Sequence, residues 1–140
     1  TKFTVEYNST LDFVYEQGRS DNAKYELYDM SNNLLATSVT VNAVNTQNSN
    51  LFIFTSPYSL SKNTIYRLVK RNVSGTAQLL RISSYSQAAQ ESVYGTHCET
   101  TSSDGINWTD TATNVVGIIL GLTLNNSSGS RLVGPSALVG

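Results

Sequence analysis

Cysteine, histidine and tryptophan each occur once in this 140-residue chain, and proline only twice. The single cysteine, Cys98, rules out an intrachain disulfide, and a lone buried thiol behaves as a small hydrophobe. One histidine and one cysteine fall short of the several ligands that a transition-metal site requires. Charge is scarce as well: Asp, Glu, Lys and Arg make up 14% of the chain, against about 25% in an average soluble protein. So little Lys and Glu leaves little helix-forming material. The formal net charge of −1 argues against a nucleic-acid partner, which would need clustered positive charge. Lys62, Arg67, Lys70, Arg71 and Arg81 do gather in one stretch, and they read as solvated strand faces and a turn. No apolar run reaches the roughly 20 residues of a membrane-spanning helix. Residues 115–124 are too short to cross a bilayer, so no membrane insertion is expected.

Ser, Thr, Asn and tyrosine fill the space that charge leaves. A surface that is uncharged yet rich in hydrogen-bonding groups suits an extracellular or virion-exposed β protein. The length fits one domain, able to bury about two-thirds of the surface that its unfolded chain exposes. Period-2 alternation recurs along the chain, the mark of half-buried strands. Residues 2–7 place Phe3, Val5 and Tyr7 on one face, and residues 23–28 do the same with Ala23, Tyr25 and Leu27. Residues 29–33 (DMSNN) read as a hairpin turn, because Asp and Asn tolerate left-handed backbone angles. The partner strand spans residues 34–44. Further strands are expected at residues 11–15, 51–54, 65–70, 77–83, 91–98 and 115–124. Pro57 fixes a loop or a strand edge, and residues 72–75 (NVSG) read as a turn. About eight strands with frequent turns and no amphipathic helix predict an all-β fold, an antiparallel β-sandwich of jelly-roll type. It covers residues 1–125, and residues 126–140 form a flexible or partner-packed tail carrying Leu132, Val133, Leu138 and Val139.

Catalytic chemistry finds no foothold. His97 is the only general base of its kind, no Gly-x-Ser-x-Gly elbow is present, and His97 and Cys98, as neighbours on a strand, would point to opposite faces. No catalytic residue and no cofactor are expected. Asp104 and Asp110 flank the tryptophan-bearing turn, where aspartates ordinarily cap backbone groups. A carboxylate pair for glycoside hydrolysis and a Ca²⁺ site are the alternatives. The better candidate site is aromatic. Sugar rings stack on Trp and Tyr while Asn and Asp read the hydroxyls, and Trp108 with Asn107, Asp104 and Asp110 supplies that set in one loop. Tyr94 joins from a neighbouring loop, with Tyr85 or Tyr58 as further contributors. The competing reading folds Trp108 back over the end of the sandwich, its N–H bonded locally.

Three segments carry a resemblance. They are residues 51–68 (LFIFTSPYSLSKNTIYRL), residues 104–113 (DGINWTDTAT) and the closing apolar strand, residues 117–122 (GIILGL). In that order the chain resembles jelly-roll accessory domains of phage virion and tail proteins and carbohydrate-binding-like β-sandwiches. The match covers about residues 20–125, and residues 84–100 fit no part of that pattern. The resemblance implies a non-enzymatic decoration or fibre domain displayed on a phage particle. Its expected partners are other virion proteins or its own copies, with a cell-surface glycan as a further ligand. The alternative is a carbohydrate-binding module of an adhesin, tail fibre or secreted enzyme.

Overall fold

The computed structural model describes residues 1–17, 20–43, 49–77, 81–82, 97–111, 115–116 and 118–125. In chain order its strands are β1 (Lys2–Phe3), β2 (Ser9–Gln17), β3 (Ser20–Tyr28), β4 (Leu34–Thr37), β5 (Val41–Ala43) and β6 (Ser49–Leu60). They continue with β7 (Tyr66–Ala77), β8 (Arg81–Ile82), β9 (His97–Thr101), β10 (Thr109–Thr111), β11 (Val115–Val116) and β12 (Ile118–Leu124). The large sheet has seven strands in the order β10-β9-β1-β7-β3-β4, with β5 also pairing β3. The small sheet has three, β12-β2-β6, and β11 pairs β8 in a ladder of its own. Every pairing is antiparallel. Among the described residues, no helix is long and apolar enough to cross a membrane.

Alternation builds the core. Phe3, Ala23, Tyr25, Leu27, Tyr66 and Leu68 point inward from the large sheet, and Leu11, Val14, Phe52, Phe54, Leu60, Ile118 and Leu120 belong to the small one. The Tyr25 and Phe52 rings join the two layers edge to face, with centroids 4.9 Å apart. The chain is therefore an antiparallel β-sandwich. Ser38 stitches one flank: its backbone N–H donates to the Tyr25 carbonyl (2.8 Å), and the next N–H, of Val39, reaches the Ile53 carbonyl on β6 (2.8 Å).

The core is not wholly apolar. Glu16 on β2 is fully buried; its Oε2 accepts from the Tyr25 hydroxyl at 2.5 Å and its Oε1 from Lys70 Nζ at 2.5 Å. Since Tyr25 and Lys70 lie on β3 and β7, one carboxylate ties the small sheet to the large one.

Several strands differ from the sequence expectation. Residues 72–75 do not reverse the chain: β7 continues through them, paired with β3 from Arg67 opposite Tyr28 to Ala77 opposite Ser20. The Asn72 side-chain amide donates to the Gly75 carbonyl at 2.7 Å, and Gly75 takes φ 70°, so the turn chemistry makes an irregularity within the strand. β6 runs on past residue 54, and Pro57 lies on an edge strand, one of the two places expected for it, because one side of that strand needs no donor. Residues 34–44 divide at Ser38, and residues 115–124 divide between β11 and β12. β12 alternates, with Ile118 and Leu120 inside and Ile119 57% exposed. The expected tail, residues 126–140, lies outside the described residues.

Gly121 on β12 pairs Phe13 on β2, and the Phe13 ring occupies the space that a side chain at 121 would need. An aromatic ring laid over a strand glycine seals backbone that a missing side chain leaves bare. Gly121→Ala should therefore cost about 1–3 kcal/mol through overpacking, measured by urea unfolding. Phe13→Leu in the same background should recover part of that loss.

Candidate site on the outer face of the large sheet

Residues 102–108 connect β9 to β10 and are organised by one carboxylate. Asp104 Oδ1 accepts from the backbone N–H groups of Asn107 and Ile106, both at 2.8 Å, and Oδ2 accepts from the Asn107 side-chain amide at 2.8 Å. The Ser102 hydroxyl donates to Oδ1 as well (3.0 Å), and Gly105 supplies the left-handed backbone at φ 76°. These donors, the Asn107 N–H foremost, hold the Asp104 carboxyl far below its ordinary range. Asp29 builds the β3–β4 turn in the same way, accepting from the N–H groups of Ser31 and Asn33 and from the Asn33 side chain. Its pKa is also lowered, by the Asn33 side chain first.

Both aspartates thus have folded pKa values below their unfolded ones. Stability from such groups is fully present above about pH 4 and is lost as pH falls through the folded values. Thermal melts should accordingly show Tm falling steadily below about pH 4. Asp104→Asn should flatten that slope, since a neutral amide neither gains nor loses the proton.

The loop delivers Trp108 onto the sheet rather than into solvent. The ring is half-buried, with the Arg67 guanidinium carbon 4.5 Å from its centroid. Arg67 sits on β7 between Lys2 of β1 and Tyr28 of β3, and only 5% of it is exposed. Its Nη1 donates to Asn32 Oδ1 at 2.9 Å, and Asn32 is presented by the Asp29 turn with φ 64°. Burial lowers the Arg67 pKa, and the nearby Asp110 charge opposes that shift. Asp110, on β10, forms an ion pair with Lys2. Burial works against the Asp110 charge, yet the Lys2 hydrogen bond leads the contacts that outweigh it, and the carboxyl stays below its usual range. The buried donors that meet no acceptor among the described residues include Arg67 Nε and Trp108 Nε1 on this face.

The expected site residues therefore separate into roles. Asp104 and Asn107 are bonded to each other and shape the loop, Asp110 pairs with Lys2, and Trp108 meets Arg67. Tyr94 and Tyr85 lie outside the described residues. Tyr58 belongs to the small sheet, where it packs edge-on against Tyr66 at 6.4 Å. Arg67, Lys2 and Asn32 enter the site without having been expected there. Alternation with Tyr66 and Leu68 is the one sequence signal for Arg67, since it puts the arginine on the outer face. Of the basic stretch read as solvated, Arg67 and the Lys70 side chain are instead buried. In backbone register His97 stands opposite Phe3, and Cys98 opposite Lys2.

The fold and this face define the class as an antiparallel β-sandwich carrying a tryptophan–arginine pair on its larger sheet. The chain matches no protein-family model, and no match emerged among curated proteins or solved structures.

Proposed function

We propose that the chain is a non-catalytic assembly domain displayed on a virion, as a decoration or fibre module that contacts its own copies and neighbouring virion proteins. The observation that carries this reading is the outward face of the small sheet. Ile119, Tyr15 and Leu51 stand side by side across its three strands, and Phe13 and Ile53 form the adjoining row over Gly121. Ile119 is 57% exposed, Ile53 47% and Leu51 46%. Scattered exposed apolar residues are ordinary, but contiguous ones on one face mark contact with another macromolecule. The weakly charged surface and the resemblance to virion domains point the same way.

Sedimentation velocity tests the self-contact. The expected result is association that strengthens with concentration and is abolished by Ile53→Glu, with circular dichroism unchanged. A protein that stays monomeric at every concentration would count against self-association.

A second reading, a carbohydrate-binding module, is favoured by Trp108 beside Arg67, its N–H without an acceptor among the described residues. Glycan-array retention that disappears in Trp108→Ala, at unchanged circular dichroism, would support it. Retention unaffected by that substitution would remove it.

A further inference from the structure

We propose that Arg67 and Trp108 form a receptor for the carboxylate of an acidic sugar, set into the outer face of the large sheet. The sugar part rests on the carbohydrate-binding reading; the carboxylate part rests on the Arg67 and Trp108 N–H groups.

A guanidinium carries five N–H donors and no acceptor, and an indole carries one donor. Removing such groups from water is costly unless each finds an acceptor. Arg67 is 5% exposed, yet its Nη1 bond to Asn32 is joined by an Nε–H that meets no acceptor among the described residues. Trp108 Nε1–H is in the same condition. The two donors belong to one stacked pair, so a single small group can serve both. A carboxylate fits: it offers two oxygens, accepts only, and makes charge-assisted bonds to arginine.

The charges agree. Arg67 and Lys2 face a single carboxylate, Asp110, which Lys2 already engages. One positive charge remains in excess, and a monoanion cancels it where a dianionic phosphate would overshoot. Lys2, opposite Arg67 in register, is the link to a space for the rest of a sugar. Lys2 also lines a cleft of about 360 Å³ with Phe3, Thr4, Asn63 and Ile65, a mixture of apolar wall and hydroxyl or amide groups. That volume lies at the small end of ligand sites. Both N–H atoms are covered, so binding requires Trp108 to shift, and the sole tryptophan reports its own movement by fluorescence.

The intact protein is titrated with glucuronate, glucose and acetate at fixed pH and ionic strength, following Trp108 emission and heat by calorimetry. The expected result is a saturable response to glucuronate, a weaker one to acetate and none to glucose. Arg67→Gln should weaken glucuronate binding at least about tenfold. Trp108→Phe, which keeps a ring but loses the N–H, should weaken it severalfold by calorimetry and covers the case in which Arg67→Gln fails to fold. Acetate binding as tightly as glucuronate would support the carboxylate receptor and overturn its sugar part. No response to any of the three, or equal responses to glucose and glucuronate, would overturn the proposal and leave the N–H groups to internal water.

Discussion

Replacing Lys70 with methionine is expected to destabilise the fold by about 3–5 kcal/mol. The Glu16 side chain is 0% exposed and that of Lys70 5%, so the pair lies where water cannot screen it. Methionine matches the lysine stem in size but leaves the Glu16 carboxylate with one charged donor fewer, 2.5 Å away in the native protein. An uncompensated buried charge is the costly outcome, whereas replacing both partners with apolar groups is often neutral. Glu16→Leu combined with Lys70→Met and Tyr25→Phe should therefore recover most of the loss. Urea unfolding measures each variant, and a Lys70→Met protein within about 1 kcal/mol of the parent would mean that solvent reaches Glu16.

The same cluster sets the alkaline limb. Burial, and then the Glu16 charge, raises the Tyr25 hydroxyl well above its ordinary pKa. The folded protein keeps that proton after the unfolded chain loses it, so Tyr25 makes stability fall as pH rises past about 10. Lys70 acts in the opposite direction: burial lowers its pKa against the pull of Glu16, so the unfolded chain holds more protons and stability gains with pH. Melts of Tyr25→Phe should lose the Tyr25 share of the falling component, leaving that of Tyr28, whose hydroxyl burial also raises, against the rising one.

Much of the sandwich is legible in local pattern. Ala23, Tyr25 and Leu27 all point inward as period-2 alternation requires, and Asp29 closes its turn through contacts within four residues. What the pattern misreads depends on partners distant in sequence. Tyr7 continues the Phe3–Val5 alternation yet is 65% exposed, because β1 ends at Phe3. Asn72 and Gly75 carry the same chemistry whether a chain reverses or bulges, and here β3 is long enough to pair straight through. Glu16 is hidden by the register shift between Leu11 and Phe13: unbroken alternation from Ser9 and Leu11 would place it outside, and the shift turns Val14 and Glu16 inward.

The site divides along the same line. Asp104 and Asn107 announce a turn because their bonds stay within the loop. The meeting of Trp108 with Arg67 is set by strand order: β9 carries β10 to the edge beyond β1, and β1 lies against β7. No local signal records that order. The aromatic surface of the lone tryptophan is already shared with a cation, which moves the binding question from stacking to the Arg67 and Trp108 N–H groups that meet no acceptor among the described residues.

Phe52→Ala should be the most damaging truncation in the apolar layer, at about 3–5 kcal/mol. Phe52 is wholly buried and lies in one cross-strand row with Val14 and Leu120, so its ring completes that row on the small sheet's inner face. It also meets Tyr25 edge to face, at 85° between ring planes. The resulting cavity would therefore border the tyrosine whose hydroxyl holds Glu16, and a ring free to tilt would loosen that hydrogen bond too. Contacting residues couple by about 0.5–3 kcal/mol, so Phe52→Ala and Tyr25→Phe should fail to add. Urea unfolding of the two single variants and the double measures the coupling. Strict additivity would show that the ring contact and the carboxylate cluster act independently, and the apolar and charged halves of this core would then be separate supports.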